Sequence, residues 1–198
     1  IDALNHPKWK MGKKISIDSS TLMNKLLELI EAQKLFSIPN KKIDILIHPN
    51  SLVHAIVELK NGLNKLIYHD TSMIIPLANA IFNDELCIED FLKKKNKKNE
   101  KLTIQNLKFQ KVNKNIFPII KLKNRIDEHP STPIIINACN EVLVDLFLRK
   151  KIPFLTISKS IISILNDRNY KKYAIRKPKN INQIQKIDDW ARNTVIKN

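Results

Sequence analysis

The amino-acid sequence predicts an α+β protein, in which an α/β unit with a small sheet and a hairpin precedes a small helical bundle. Three observations lead to this fold class. A leucine-rich run of strong helix formers follows Asp18, an alternating apolar pattern turns back on itself at Gly62, and the last third carries helical segments separated by Pro153 and Pro178. We expect the two parts to meet near residue 115, which gives domains at 1–115 and 116–198.

The first part alternates between helix and strand signals. A capping residue opens the first helix, and the Lys-Asn-Gly sequence at residues 60–62 is a typical hairpin turn between two alternating apolar segments. The predicted elements are a helix capped by Asp18 or Ser19, a short buried strand at 43–47, a hairpin from strands 52–59 and 63–69, and a helix from Met73 to Phe82.

The second part begins after a lysine- and asparagine-rich surface excursion, residues 92–114, which contains one strand pattern. Apolar residues then recur at helical spacing, and two prolines interrupt the pattern. The predicted helices are 137–151, 156–167 and 180–198.

Cysteine usage indicates a reducing environment. Cys87 and Cys139 are far apart and form no CxxC pair, so neither a disulfide scaffold nor a structural zinc site is expected. Burial as free thiols is the simplest interpretation of both residues. We therefore predict a cytoplasmic protein, or one of a plastid-like organelle in a eukaryote. No stretch of the sequence is both apolar enough and long enough to predict a membrane span.

The formal net charge of +16 calls for an anionic partner. Nucleic acid is one candidate, but the lysines are scattered and no recognition helix, zinc finger or aromatic RNA-binding signature accompanies them. The favoured explanation of the net charge is enrichment in residues with A/T-rich codons, together with a phosphorylated substrate. We therefore expect neither nucleic acid nor a membrane as a partner.

The first helix carries the most informative polar residues. If it begins near Ser19, its first N–H groups and dipole favour an anion such as phosphate. Thr21, Lys25 and Glu28 then share one face, with Asn24 beside them. Asn24 and Lys25 offer donors, and the Glu28 carboxylate suits Mg²⁺ or Mn²⁺. An amphipathic helix with an incidental Lys–Glu pair accounts for the same residues without any site.

Five segments taken together resemble a known family. Their order and spacing along residues 4–150 resemble consecutive motifs of 1-deoxy-D-xylulose 5-phosphate reductoisomerases, and the terminal helices suit that family's C-terminal domain. The segments are NHPKWKMGKK (5–14), IDSSTLMNK (17–25) with Glu28, HPNSLVH (48–54), SMIIP (72–76) and NACNE (137–141).

The resemblance implies roles for the helix residues. Ser19, Asn24 and Lys25 match substrate-binding residues that hold the phosphate and polarise substrate oxygens, and Glu28 matches a carboxylate that binds the metal and the substrate. His6 matches a substrate-contacting histidine. Lys25, Glu28 and His6 are thus the implied catalytic residues.

The segment before the helix is implied to cover the site. Trp9 and Met11 match apolar residues of a mobile active-site loop, and Gly12, with Met11, matches positions near the cofactor. A bulky indole excludes water from such a site, and glycine permits a ligand to approach closely.

The implied reaction converts 1-deoxy-D-xylulose 5-phosphate to 2-C-methyl-D-erythritol 4-phosphate in the non-mevalonate isoprenoid pathway. It uses NADPH and a divalent metal, Mn²⁺ or Mg²⁺, in a homodimer. The family's N-terminal dinucleotide-binding domain is expected to be absent from this chain, because two glycines do not make its Gly-rich loop. We expect residues 1–115 to be the catalytic part and the isolated chain to be inactive.

Two positions depart from the family pattern, and one other function stays open. Leu26 stands where the family usually has Gly, which predicts crowding of a neighbouring element, and Ser72 replaces a usual Asp. The alternative function is a non-catalytic remnant that binds a phosphometabolite or a partner protein. His48 and His54 are interpreted as structural.

Overall fold

The computed structural model describes residues 2–4, 11–82 and 107–197. The chain divides into two compact units. We call residues 1–45 with 112–198 the core unit, and residues 46–111 the strand unit. The described residues are mostly helical with two small sheets, which confirms the predicted α+β class.

The helix that begins the core unit starts earlier than predicted and is broken. α1 covers Lys13–Thr21 and α2 covers Met23–Phe36. Between them, Leu22 adopts a left-handed conformation (φ 63°, ψ 12°), and its N–H donates to the carbonyl of Ser19 at 3.1 Å. The predicted start at Asp18 or Ser19 is wrong, because the Asp18 carboxylate bonds residues of α1 and a distant helix instead of capping a terminus.

The predicted helices of the last third are confirmed. The first of them begins five residues before the predicted start, with a proline in its first turn, where a missing N–H costs nothing. Pro153 directly precedes the next helix. The helices are α4 (Thr132–Leu148), α5 (Phe154–Ile164), the additional short α6 (Tyr170–Ala174) and α7 (Ile181–Lys197), preceded by a 3₁₀ segment at Pro118–Asn124.

One hydrophobic core joins α1 and α2 to the C-terminal helices. Ile17, Met23 and Leu26 are fully buried together with side chains of the 3₁₀ segment, α4 and α5. Leu26, for which crowding was predicted, is a fully buried member of this core, and the crowding itself stays a prediction. Packing therefore divides the described residues differently from the predicted boundary near residue 115, since those up to Ile45 pack with the C-terminal helices. The boundary between catalytic and helical domains stays a prediction.

The strand unit contains the predicted hairpin. β2 (Val53–Glu58) pairs with β3 (Asn64–Tyr68) in antiparallel register. Gly62 lies in the turn with φ +85°, a conformation that glycine adopts without a steric penalty. The helix α3 (Ile74–Phe82) follows, close to its predicted bounds.

A second two-stranded sheet in the strand unit differs from the prediction. β1 (Leu46–Ile47) pairs with β4 (Gln110–Lys111) in antiparallel orientation. The strand predicted at 43–47 is thus limited to its last two residues, since Ile43 and Ile45 pack on the core instead. Most of the strand pattern within 92–114 lies outside the described residues. None of the helices in the described ranges combines the length and apolarity that a bilayer crossing requires.

Candidate functional site

The break at Leu22 determines where the predicted site residues lie. Ser19 is in the last turn of α1, whereas Asn24 and Lys25 are in the first turn of α2. The N–H groups at the start of a helix lack carbonyl partners within it, so the anion-favouring terminus belongs to α2 and not to Ser19. The expectation that Ser19 opens the helix is corrected, but the helix N-terminus still lies within the same short segment.

Three of the predicted side chains meet on the exposed face of α2. The Asn24 amide donates to Glu28 Oε1 at 2.5 Å, and the Lys25 ammonium donates to Glu28 Oε2 at 2.6 Å. The Lys25 and Glu28 side chains are 47% and 46% exposed, so a ligand can reach both. Thr21 does not share this face, because it is buried and its hydroxyl donates to the carbonyl of Ile17.

This arrangement suits a ligand that carries both negative charge and bound metal. The ammonium of Lys25 and the amide of Asn24 are donors for phosphate or hydroxyl oxygens. The Glu28 carboxylate is a hard ligand for Mg²⁺ or Mn²⁺. Within residues 2–4, 11–82 and 107–197, no group of three or more His, Cys, Asp or Glu is placed to hold a metal ion. Glu28 fits such an ion as one ligand of several.

The residues before α1 are only partly described. Met11 is half-buried, and Gly12 is the exposed residue that precedes α1. A Cβ built on Gly12 meets no atom of the described residues within 4 Å, so these residues leave its backbone open to a ligand. His6 and Trp9 lie outside the described residues, and their implied roles stay predictions.

The NACNE segment joins three helices, a role that the sequence analysis did not predict. Asn140 is fully buried and donates to Asp18 Oδ1 of α1 at 2.8 Å. Its neighbour Glu141 accepts from Arg192 Nη2 of α7 at 2.5 Å, and Arg192 also bonds Asp188. Both hydrogen bonds raise the pKa of the Arg192 guanidinium. The signal that could have indicated this role is the pair of consecutive polar residues, Asn140 and Glu141, in a mostly apolar helix.

The cysteine in the same segment lies in the core. Burial, followed by the nearby negative charge of Asp188, raises the pKa of the Cys139 thiol to about 12. This residue is a buried free thiol, as predicted. Cys87 lies outside the described residues.

The histidines and Ser72 of the strand unit make hydrogen bonds and ring contacts with other residues of that unit. His48 Nδ1 bonds the carbonyl of Lys108 at 2.8 Å, and its ring stacks on Phe109. His54 stacks on His69 with ring centres 3.7 Å apart. The Ser72 hydroxyl accepts a long hydrogen bond of 3.4 Å from the N–H of Ile74, the first residue of α3.

Comparison with known sequences identifies the family. Residues 70–194 match the family described as DXP reductoisomerase C-terminal domain, and residues 1–36 match the 1-deoxy-D-xylulose 5-phosphate reductoisomerase C-terminal domain. A 1-deoxy-D-xylulose 5-phosphate reductoisomerase of Pelagibacter ubique is 46% identical over 96% of this chain and 48% of the relative. The enzyme of the same name from Campylobacter jejuni is 44% identical over 83% of this chain and 44% of the relative. The chain spans about half the length of the curated relatives it matches.

Solved structures agree with the sequence comparison. A DOX-P reductoisomerase crystallised with NADPH, fosmidomycin and magnesium superposes with a TM-score of 0.87 at 31% identity, over 99% of this chain and 48% of that one. The 1-deoxy-D-xylulose 5-phosphate reductoisomerase of Zymomonas mobilis, in complex with NADPH, gives a TM-score of 0.75 at 31% identity, over 98% of this chain and 47% of that one. With sequence and fold in agreement along nearly all of its length, the chain belongs to the DXP reductoisomerase family.

Proposed function

We propose that this chain is the substrate-binding part of a reductoisomerase that converts 1-deoxy-D-xylulose 5-phosphate to 2-C-methyl-D-erythritol 4-phosphate with NADPH. The observation that carries the proposal is the group of Asn24, Lys25 and Glu28 at the start of α2. It combines donors for an anionic ligand with a carboxylate for a metal, within a segment that belongs to the family. The proposed catalytic part is residues 1–115.

Ser19, Asn24 and Lys25 are proposed to bind the substrate. Lys25 supplies positive charge on an exposed face, and the first-turn N–H groups of α2 add partial positive charge beside it. A charged hydrogen bond of this kind contributes about 1.5–3 kcal/mol. The half-buried Ser19 hydroxyl lies across the break at Leu22, close along the chain. His6 is proposed as a further substrate contact and catalytic residue.

Glu28 is proposed to bind a divalent metal and to contact the substrate. Both of its oxygens accept hydrogen bonds, Oε1 from Asn24 and Oε2 from Lys25. Glu28 would hold the metal through this carboxylate, and the nitrogen donors of Asn24 and Lys25 would then be available to the substrate. The metal would then stabilise negative charge on substrate oxygens as a Lewis acid. The same three residues therefore serve both ligands.

Met11 and Gly12 are proposed to lie near the nicotinamide cofactor, and Trp9 with Met11 to form the loop that covers the site. NADPH, where bound, supplies the hydride, and magnesium and NADPH are both present in a family complex. Support within the chain is the open surroundings of Gly12. We propose that the isolated chain has no turnover, because its two glycines do not build a dinucleotide-binding loop.

Location and assembly are part of the proposal. A cytoplasmic protein is consistent with the free, buried thiol of Cys139. A homodimer is implied by the family resemblance, and the exposed apolar side chains of the hairpin are compatible with a subunit contact.

Two substitutions in the full-length enzyme test the site, because they should fail differently. Lys25→Ala removes a charged contact to the substrate, so kcat/KM should fall at least tenfold at every metal concentration, as expected for a loss of about 1.5–3 kcal/mol. Glu28→Gln removes the charge that a hard cation needs, so metal affinity should fall and added Mn²⁺ should partly restore the rate. The measurement is rate against metal concentration for each folded variant.

An exposed ion pair elsewhere provides the matched control. Arg149 and Asp145 form an i,i+4 pair on α4 at 2.9 Å, with side chains 64% and 53% exposed. Arg149→Ala should leave the kinetics unchanged. If Glu28→Gln and the unsubstituted enzyme give the same metal titration, Glu28 is not a metal ligand. If Lys25→Ala behaves like Arg149→Ala, Lys25 and Glu28 are an incidental surface pair.

A further inference from the structure

Asp18 is a buried carboxylate next to the proposed site. It is 1% exposed and directly precedes Ser19 in α1. Its Oδ2 accepts from the Lys14 ammonium at 2.7 Å and its Oδ1 accepts from the Asn140 amide at 2.8 Å. Burying a carboxylate costs free energy unless it is paired and hydrogen-bonded. The contacts with Lys14 and Asn140 therefore allow Asp18 to be buried.

Asp18 connects α1 to a distant part of the chain, whereas other buried polar residues of α1 do not. Among the buried residues of α1, Ile17 is apolar, and Ser16 and Thr21 bond backbone groups within residues 12–23. Asp18 instead bonds a residue 122 positions further along. Ile17 anchors α1 in the core by apolar packing, and the hydrogen bond from Asn140 adds a directional constraint on the orientation of the helix.

The helix on the other side of this contact is itself held in place. Asn140 is fully buried in α4, and Glu141, the next residue, accepts a charged hydrogen bond from Arg192 of α7. The two neighbours thus point to different helices, Asn140 to α1 and Glu141 to α7. The Asn140 amide therefore belongs to a helix, α4, that packs against other helices on both of its sides.

We propose that Asp18 and Asn140 are positioning residues that set the orientation of α1, and with it the placement of Ser19 relative to the first turn of α2. This proposal rests on the proposed function, and it gives a structural reason for the position of Ser19 relative to Asn24 and Lys25. Ser19 follows Asp18 directly, and the left-handed Leu22 is the sole residue between α1 and α2. A rotation of α1 consequently moves the Ser19 hydroxyl relative to Asn24 and Lys25.

Three variants of the full-length enzyme separate positioning from simple stabilisation. Asn140→Leu removes the donor while keeping a similar volume. Glu141→Gln is the matched control, because it weakens the contact of α4 with α7 at the adjacent residue. The double variant Asp18→Asn with Asn140→Asp exchanges amide and carboxylate, which restores the hydrogen bond between positions 18 and 140 without the ion pair of Lys14.

The kinetic measurement uses 1-deoxy-D-xylulose 5-phosphate at saturating NADPH and Mn²⁺. For Asn140→Leu we expect KM to rise about tenfold with a smaller change in kcat, because a misplaced phosphate contact weakens substrate and transition state alike. Glu141→Gln should leave KM within about twofold, and the exchanged pair should give a lower KM than Asn140→Leu, because it keeps the hydrogen bond between the two helices. A KM of Asn140→Leu equal to that of the unsubstituted enzyme would overturn the proposal, as would equal effects of Asn140→Leu and Glu141→Gln.

Hydrogen exchange on the 198-residue chain provides a second measurement that needs no activity. In Asn140→Leu the amides at 16–22 should lose protection and those of α7 should keep it. In Glu141→Gln the amides of α7 should lose protection and those at 16–22 should keep it. The same pattern in both variants would overturn the positioning role. If the unsubstituted enzyme has no turnover, the proposed function fails and the link to substrate fails with it. An unchanged KM in an active enzyme overturns the positioning role alone.

Discussion

The core unit and the strand unit differ in where their apolar side chains lie. Among the described residues, every buried apolar side chain belongs to the core unit. In the strand unit, neighbouring residues on opposite faces of the hairpin are both exposed, for example Ile56 and Val57 of β2 at 39% and 43%. No residue of α3 is buried. Similar apolar content thus produces a packed core in one unit and an exposed surface in the other.

This difference shows that periodicity predicts an element but does not predict its partner. The hairpin forms where alternation and a glycine turn favour it, although a two-stranded hairpin is only marginally stable alone. The helices of the core unit bury a face against one another, and that burial stabilises them far more than helix propensity does. We expect the core unit to dominate the free energy of unfolding of the chain.

The largest expected effect concerns the reactivity of the core thiol. Burial raises the pKa of Cys139 from 9.0 to about 12, which lowers its thiolate fraction at pH 8 about a thousandfold. In a Cys87→Ser variant, alkylation by iodoacetamide should be slower than in the urea-unfolded chain by at least this factor. Peptide mass spectrometry measures the modification of Cys139. Equal rates in the folded and unfolded chain would show that the core unit is open to reagent.

A matched pair of leucine substitutions compares the two units directly. Leu122 in the core unit is 1% exposed, whereas Leu66 in β3 is 46% exposed. Leu122→Ala should lower the free energy of unfolding by about 2–5 kcal/mol, through lost burial and a residual cavity. Leu66→Ala should lower it by less than about 1 kcal/mol. Urea unfolding followed by circular dichroism measures both, and equal losses would contradict the comparison.

The smallest expected effect concerns the two glycines. Gly62→Ala places a Cβ at φ +85° in the hairpin turn and should destabilise the hairpin by about 1 kcal/mol. Gly12→Ala is the control, because its φ of −63° is ordinary and its Cβ position is open. It should change stability by no more than a few tenths of a kcal/mol, about the range of a surface substitution. Hydrogen exchange of the hairpin amides provides the measurement, and equal protection in both variants would contradict a strained turn.

The amino-acid sequence by itself determined the features that depend on neighbours a few residues apart. The hairpin around Gly62, the three C-terminal helices and the shared face of Asn24, Lys25 and Glu28 were all predictable from local spacing. The family was also predictable, because the order of five short motifs does not depend on how they pack. These features follow from side-chain periodicity and turn chemistry.

Only the tertiary structure decided the break at Leu22, the early start of α1 and the partner of Asp18. A carboxylate just before a leucine-rich run predicts a helix cap, yet Asp18 is buried and bonds Asn140, 122 residues away. No pattern within a few residues contains that partner. The local preference of Asp18 for a helix cap is modest, whereas a buried carboxylate left unpaired is very costly, so packing outweighed the local signal.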